Sequence, residues 1–237
     1  MVRFLSRVGI LVLAAMFVAG CSKSSSTGNN STAPALKAPT FAGPSSTSTT
    51  ADTSAGYLYA STYANIFTAY SESFTEYFVG TGTQSGNSWT WTETANGITG
   101  TWTATSTSSG YNWSLVLNGS NGTTTYNNFT IVSGTESTNG SSGSWTLYYE
   151  NETTAEFGVT WSTDANGVVT GTIVSNDSSG TAVQKDVITE NPNKSGELKE
   201  YAGGTVLTWD IIWNANGSGS YTEWNTDGTV EATGTWS

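Results

Sequence analysis

The chain has 237 residues, with seven basic and 18 acidic side chains, a net charge of −11 at pH 7, one cysteine and no histidine. The lack of histidine excludes serine–histidine triads, imidazole acid–base catalysis and histidine-ligated metal sites. The single cysteine excludes an intrachain disulfide. The acidic balance argues against nucleic acid as a partner, because phosphate recognition needs clustered Lys and Arg.

The first 20 residues have the three parts of an export signal: two arginines, an apolar run and small residues before Cys21. The apolar run is shorter than the ~20 residues that a membrane-spanning helix needs. Val18-Ala19-Gly20-Cys21 resembles the lipobox of bacterial lipoproteins. This resemblance implies that residues 1–20 are a cleaved signal peptide and that Cys21 is lipidated with diacylglycerol and a fatty acid such as palmitate.

The residue after the cysteine bears on localisation. Ser22 stands there, and by resemblance to enteric lipoproteins a residue other than Asp implies transport to the outer membrane, facing the periplasm or the cell surface.

Without the two leader arginines, five lysines remain against 18 acidic residues, a net charge of −13. Because an anionic bilayer repels such a domain, we expect the acyl chains to hold it at the membrane.

Two segments precede the sheet. Residues 21–56 are rich in Ser, Thr and Asn and poor in large apolar side chains, which predicts a disordered tether after the lipidated cysteine. Residues 57–80 have apolar side chains at spacings of three and four, which predicts one amphipathic helix, capped by Asp52, Thr53 or Ser54. Its buried stripe is expected to contain Tyr59, Tyr63, Ile66, Phe67, Tyr70, Phe74, Tyr77 and Phe78.

Residues 81–237 alternate between apolar and polar side chains, as in Ile98–Thr105, and turns rich in Asn, Asp and Gly separate the runs. The pattern predicts a mainly β domain, an antiparallel up-and-down meander of about 10 to 12 strands. An open sheet of that size leaves long edges, so we expect closure into a β-barrel, with a β-sandwich as the alternative.

A short motif recurs in this region. Ile98–Trp102, Val169–Ile173 and Ala232–Trp236 share a Thr-Gly-Thr centre, with the glycine expected on the buried face beneath a ring from the neighbouring strand. Gly97–Trp102 resembles the opening strand of avidin and streptavidin, eight-stranded barrels that hold biotin. Those proteins have Tyr-Asn after the Trp, where this chain has Thr103 and Ala104. The resemblance therefore implies barrel geometry and not biotin binding.

Five of the ten tryptophans lie in the apolar phase of their strands away from loop ends, which predicts core packing. These are Trp102, Trp113, Trp145, Trp161 and Trp209. Four others lie near loop ends, where they could stack against a flat apolar ligand or a carbohydrate. The possible ligand-stacking residues are Trp89, Trp91, Trp213 and Trp224.

The acidic residues give little indication of metal binding or of catalysis. The turns at Asp164, Asp177 and Asp227 lack the acidic density of a calcium loop, so no metal or cofactor is predicted. Glu93 shares a strand face with Trp89 and Trp91, and Asp210 alternates towards the polar face. A glycoside hydrolase needs two carboxyls facing each other across a cleft, and these positions do not indicate such a pair.

We therefore expect no enzymatic activity. The sequence favours a membrane-anchored envelope lipoprotein with a non-catalytic β-barrel that serves as a binding or structural module. The alternatives are an outer-membrane spanning barrel and a self-assembling surface or adhesion protein, and a carboxylate-based glycoside hydrolase is the least favoured. The expected partners are the membrane, through the lipid anchor, and a small apolar or carbohydrate ligand. The oligomeric state stays open.

Overall fold

A computed structural model describes residues 39–45, 54–75 and 82–237. The predicted signal peptide, Cys21 and residues 76–81 lie outside these ranges. Helix α1 spans Ala55–Thr75, and the backbone N–H of Tyr57 donates to Ser54 Oγ at 3.3 Å, as expected of an N-terminal cap. Within the described residues, no helix has both the length and the apolar character required to cross a membrane.

Thirteen strands follow the helix, and all belong to one antiparallel sheet whose order is the order of the chain. The predicted mainly β, up-and-down architecture is confirmed, with slightly more strands than expected. The described hydrogen bonds do not join β1 to β13. The strands are β1 (Thr83–Ser85), β2 (Ser88–Ala95), β3 (Ile98–Ser106), β4 (Gly110–Ser120), β5 (Thr125–Ser137), β6 (Ser142–Tyr148), β7 (Ala155–Thr163), β8 (Val169–Asn176), β9 (Ala182–Glu190), β10 (Gly196–Ala202), β11 (Val206–Trp213), β12 (Gly219–Trp224) and β13 (Val230–Trp236).

The two faces of the sheet differ in chemistry because side chains alternate along each strand. One face, here called the inner face, contains the large apolar residues, and Trp113, Gly134 and Trp145 lie side by side on it in register. The outer face contains mainly hydroxyl-bearing side chains. Between β2 and β3, for example, Thr92 lies opposite Thr101. The expected apolar-in, threonine-out pattern is confirmed.

The buried core consists of two clusters on the inner face. The first lies on β3–β7 and contains four of the five tryptophans predicted to be core. The second combines α1, Phe41 and β7–β13, and the fifth, Trp209, packs against it while half-buried. Within the predicted helical stripe, Tyr63 and Phe67 are buried, and Tyr59 and Ile66 pack against the same cluster. The remaining stripe side chains lie outside the described set.

The predicted tether is wrong for residues 39–45, because this segment packs on the domain. Phe41 is 4% exposed, and its ring centroid lies 5.1 Å from that of Phe67. The backbone N–H groups of Ala42 and Gly43 donate to Glu190 Oε2 at 2.8 and 3.1 Å. One aromatic anchor and a buried carboxylate therefore order a segment whose average composition predicted disorder.

The recurring Thr-Gly-Thr motif has three different environments. Only Gly234 is covered by a ring of the neighbouring strand, that of Tyr221. The rings over Gly171 come from Phe41 and Phe67 instead, and leucine side chains lie nearest Gly100. The expected covering ring is therefore confirmed in one copy and wrong in two. The sequence motif repeats, but the element that packs above it changes along the sheet.

Candidate functional site

A group of polar side chains lies on the inner face, beneath α1. Gln184 and Asp186 lie on β9 in phase with Ile188, and Glu200 lies on β10 in phase with Leu198. Both of these aliphatic neighbours have no exposed surface. Register places Asp186 directly opposite Glu200, and directly opposite side chains in a sheet have Cβ atoms only about 5 Å apart. The fold thus brings a buried and a half-buried carboxyl residue together on the inner face.

Hydrogen bonds join these carboxyls to the helix. The Tyr59 hydroxyl donates to Glu200 Oε2. Gln184 Nε2 lies 2.6 Å from the Tyr63 hydroxyl, 3.0 Å from Glu200 Oε2, and 3.2 and 3.0 Å from Asp186 Oδ1 and Oδ2. The tyrosines of α1 and the two strands therefore form one polar network, here called the carboxyl network.

A β-bulge supplies a further member of the network. Glu200 pairs with Trp209 and Tyr201 pairs with Leu207, so Thr208 is the extra residue on β11. The Thr208 hydroxyl donates to Glu200 Oε1 at 2.9 Å. Bulges re-aim a side chain that the alternation of a regular strand would place elsewhere. This bulge gives Glu200 a donor for its second oxygen.

The electrostatics of the two carboxyls follow from their burial. Asp186 has no exposed surface, and burial raises its pKa to about 7, opposed in part by the hydrogen bond from Gln184. Burial also raises the pKa of Glu200, whereas the hydrogen bond from Thr208 lowers it and the charge of Glu223 raises it. Near neutral pH, Asp186 retains a proton for much of the time.

A stack of aromatic rings lies beside the network. Tyr59 stacks on Tyr63 at 4.7 Å between centroids and on Trp209 at 4.8 Å. Tyr221 stacks on Trp209 at 5.5 Å. Trp209 therefore has aromatic neighbours in two stacked contacts, which fits its predicted role in packing.

The same geometry limits what the carboxyl pair can do chemically. A general acid must lie within hydrogen-bond reach of the group that it protonates. Asp186 has no surface that a solute can touch, and Tyr59 occupies Glu200 Oε2. The arrangement can hold a proton and anchor α1, but it leaves no cleft for a glycoside between the carboxyls.

A second feature lies on the inner face of the first half of the sheet. Trp89, Trp91 and Tyr111 are half-buried and pack against the first core cluster. The Tyr111 ring lies 5.9 Å from that of Trp113. A Cβ added to Gly82 would lie 2.8 Å from Trp91 Cε2, so the Gly82 backbone packs on the Trp91 indole. Trp89 and Tyr111 thus form a partly exposed aromatic border next to buried tryptophans, here called the aromatic border.

The structure does not bring the four predicted stacking residues together. Trp89 and Trp91 share the inner face of β2. Trp213 was expected to be partly exposed, but it is 1% exposed and its Nε1 donates to the Lys194 carbonyl at 2.9 Å. It fills the space above Gly196, so stacking by Trp213 is corrected to core packing. Alternation along β12 places Trp224 on the outer face.

The acidic side chains in the turns accept hydrogen bonds from residues of the same turns. Asp164 Oδ1 accepts the backbone N–H groups of Asn166 and Val168, each at 2.8 Å. The hydrogen bond from Val168 is the main cause of its lowered pKa. Asp227 accepts from Thr229, and this lowers its pKa as well. In the described ranges, no three His, Cys, Asp or Glu side chains are grouped so that they could hold a metal ion.

The remaining two acids of the sequence analysis lie apart from the carboxyl network. Asp210 lies on the outer face, where its Oδ2 is 3.9 Å from Lys199 Nζ, as the alternation predicted. Glu93 is on the inner face of β2, opposite Gly100. Burial raises the pKa of Asp210, the charge of Lys199 lowers it, and the neighbouring Glu197 carboxyl raises it.

Comparison with known proteins adds no family assignment. No protein-family model matches the chain, and no curated protein matches it at a significant level.

Sequence reasoning missed the carboxyl network. In β9, Val183 and Val187 alternate with Gln184, Asp186 and Ile188, so both phases contain apolar residues and the buried one is not evident. β10 contains the usable signal, because Glu200 follows Gly196 and Leu198 in the apolar phase. An acid in the apolar phase of a strand is the pattern that could have identified the site.

Proposed function

We propose that this chain is a lipid-anchored envelope lipoprotein whose β-domain is a non-catalytic binding module for a small flat ligand, apolar or carbohydrate. The aromatic border is the observation that carries the binding function. Half-buried rings beside a buried aromatic cluster offer both a stacking surface and an apolar floor. The absence of catalysis is supported by the burial of Asp186, which leaves one carboxyl of the pair out of reach of a substrate.

The lipid anchor is supported by the lipobox at Val18–Cys21 and by the charge of the chain, which gives the domain no electrostatic attraction to anionic lipid. The test compares the wild-type chain with Cys21→Ser in cells fed labelled palmitate. We expect label and carbonate-resistant membrane association only with Cys21, and outer-membrane density on a sucrose gradient. A labelled Cys21→Ser protein would contradict the anchor, and inner-membrane density would contradict the localisation.

We further propose that the sheet closes into a barrel. The support is the apolar inner face, which extends from Trp89 on β2 to Trp236 on β13 and needs cover along its whole width. Hydrogen exchange tests closure through the β13 amides that do not face β12. Slow exchange throughout β13 is expected for a closed barrel. Rapid exchange at every second amide would indicate an open edge.

The ligand proposal is tested by native mass spectrometry of the Cys21→Ser protein purified from cells. We expect a retained small molecule, and we expect Trp89→Ala to lose it. Trp224→Ala is the matched control because it removes an indole from the outer face. A protein of apo mass only, with no binding of oligosaccharides or flat apolar probes that Trp89→Ala abolishes, would contradict the binding function.

The same preparation distinguishes the two alternatives. A membrane-spanning barrel presents apolar side chains to lipid, whereas the outer face here contains threonine rows such as Thr90, Thr92 and Thr94. Retention of Cys21→Ser in carbonate-washed membranes would favour the spanning barrel. Concentration-dependent polymers on size-exclusion chromatography would favour a self-assembling surface protein.

A further inference from the structure

We propose that Asp186 and Glu200 form a proton-dependent latch that holds α1 on the sheet, closed while the pair shares one proton and weakened when both carboxyls are ionised. This inference concerns the internal carboxyl network. It does not depend on the proposed anchor or ligand.

The first step is a count of hydrogen-bond donors. Gln184 Nε2 has two hydrogens but lies within 3.2 Å of four oxygens, those of Tyr63, Glu200 and both oxygens of Asp186. Two hydrogens cannot satisfy four acceptors. A proton on Asp186 turns one of these acceptors into a donor and removes one negative charge. The proton reduces the acceptors from four to three, so a singly protonated pair satisfies the observed arrangement better than two carboxylates do.

The second step is the environment of Asp186. From β8, Ile173 lies opposite it, and from β10 it faces Glu200. The polar groups near it on β9 and α1 are Gln184 and the hydroxyls of Tyr59 and Tyr63. None of these neighbours has a positive charge, so nothing among them compensates a second anion.

The third step is the position of the described cations and of the next acid. Lys185 lies 4.2 Å from the centroid of the Tyr201 ring, and Lys199 binds Glu197 at 2.6 Å. Lys194 binds Glu190 at 2.9 Å. On β12, Glu223 raises the pKa of Glu200 and thus adds negative potential. Ionisation of both carboxyls is therefore opposed by their surroundings in the described part of the chain.

The fourth step connects the proton to the helix. Tyr59 donates to Glu200, and Tyr63 contacts the same Gln184 amide that lies between the two carboxyls. When Asp186 loses its proton, it competes with Glu200 and Tyr63 for the two hydrogens of that amide. The helix thereby loses the Gln184–Tyr63 hydrogen bond on its buried face, and its attachment to the sheet weakens. Because burial raises the pKa of Asp186 to about 7, the change falls close to neutral pH.

The test measures docking of α1 directly, in the Cys21→Ser chain. Ala60→Cys places a thiol at a helix position that has no exposed surface, and Thr62→Cys places one on the exposed side of the same helix. The labelling rate of the Ala60→Cys protein is divided by that of the Thr62→Cys protein, which cancels the pH dependence of thiol chemistry. We expect this labelling ratio to increase above a midpoint near pH 7, by up to about tenfold per pH unit.

Three variants identify the groups responsible. Asp186→Asn should keep the labelling ratio low and independent of pH, because the amide cannot ionise. Glu200→Gln should move the midpoint to lower pH, because Asp186 loses its negative neighbour. Tyr59→Phe should increase the ratio at every pH by removing the helix-side donor. A flat wild-type ratio between pH 5.5 and 8.5, or an unchanged pH dependence in Asp186→Asn, would overturn the latch.

A second measurement covers the case in which Ala60→Cys does not fold. Hydrogen exchange of unlabelled Cys21→Ser protein is then followed for a peptide of α1 and, as an internal reference for intrinsic rates, a peptide of β7. The latch predicts that protection of α1 relative to β7 decreases above pH 7 and that Asp186→Asn abolishes the decrease. A ratio of α1 protection to β7 protection that stays constant at all pH values would contradict the latch.

Discussion

Trp213 lies directly across the β10–β11 pair from Gly196 and donates from Nε1 to the carbonyl of Lys194 at 2.9 Å. The indole covers the bare glycine backbone and at the same time bonds to the turn before it. Two other hairpins repeat this relationship, so it is a structural module of the sheet. They are Gly143 with Trp161, which bonds to Gly140 at 3.2 Å, and Gly219 with Trp236, which bonds to Gly217 at 2.6 Å.

Gly196→Ala should destabilise the domain by about 1 to 3 kcal/mol or more, the usual range for overpacking a core. An added Cβ would lie inside van der Waals distance of the Trp213 ring and of the Thr189 carbonyl. Gly158→Ala is the matched control, because its Cβ would come no closer than 3.9 Å to a neighbouring atom. Urea unfolding of both variants checks the prediction. Equal losses of unfolding free energy would show that space above the glycine is not the cause.

Five hairpin turns share one geometry, in which the fourth of five residues has a positive φ. Gly228 has a φ of +85° with no atom within 4 Å of an added Cβ, whereas the Cβ of Gly217, at +88°, would clash with the Ser45 carbonyl. Gly228→Ala should cost about 1 kcal/mol, the backbone penalty alone. Gly217→Ala should cost more, because residues 39–45 must move. Thermal unfolding of both measures the difference, which should disappear in a chain lacking residues 22–45.

The sequence predicted the structure best where side-chain alternation alone determines which face of the sheet a residue occupies. Alternation predicted the inner position of Trp102 and the outer position of Asp210, because a strand has only two faces. Alternation also placed Trp213 in the apolar phase, but its proximity to a turn suggested exposure. That expectation was wrong, because exposure depends on the partner strand, where Gly196 leaves space that the indole fills. The packing of Phe41 was not predictable either. The average composition of residues 21–56 is dominated by small polar side chains. It does not indicate that a single aromatic residue packs between α1 and β8.

The docking of residues 39–45 depends on Phe41 and Glu190. Phe41→Ala removes a buried ring from the second core cluster, and we expect a loss of up to about 3 to 5 kcal/mol, less where the site collapses. Thr40→Ala, at an exposed neighbouring position, is the control. Limited proteolysis should cut near residue 41 in the first variant and not in the second. Equal resistance to cleavage would show that the ring does not hold the segment.

Glu190→Gln tests the other end of the same attachment. The carboxylate accepts the N–H groups of Ala42 and Gly43 and binds Lys194 Nζ at 2.9 Å. An amide keeps one acceptor oxygen but removes the charge, and hydrogen bonds to charged groups contribute roughly 1.5 to 3 kcal/mol each. We expect faster exchange of the Ala42 and Gly43 amides with little change in the β-sheet. Unchanged exchange of these two amides would contradict a charge-dependent attachment.

Asp186 also determines how stability depends on pH. Its pKa is about 7 in the folded chain, against an ordinary value of 3.8, so the unfolded chain releases this proton at lower pH than the folded chain. The contribution of Asp186 to stability is therefore fully present below about pH 4 and is lost as pH rises through 7. Asp186→Asn should be more stable than wild type at pH 8, by up to about 4 kcal/mol, and similar to it near pH 4.

Urea unfolding of wild type and Asp186→Asn at pH 4 and pH 8 measures this difference. Asp164→Asn is a control of opposite sign, because hydrogen bonds within its turn lower the pKa of Asp164. The stability that Asp164 contributes is present above its ordinary pKa and is lost as pH falls through the lowered one. If Asp186→Asn differs from wild type by the same amount at both pH values, titration of Asp186 is not the source of the effect. The substitution then acts through packing alone.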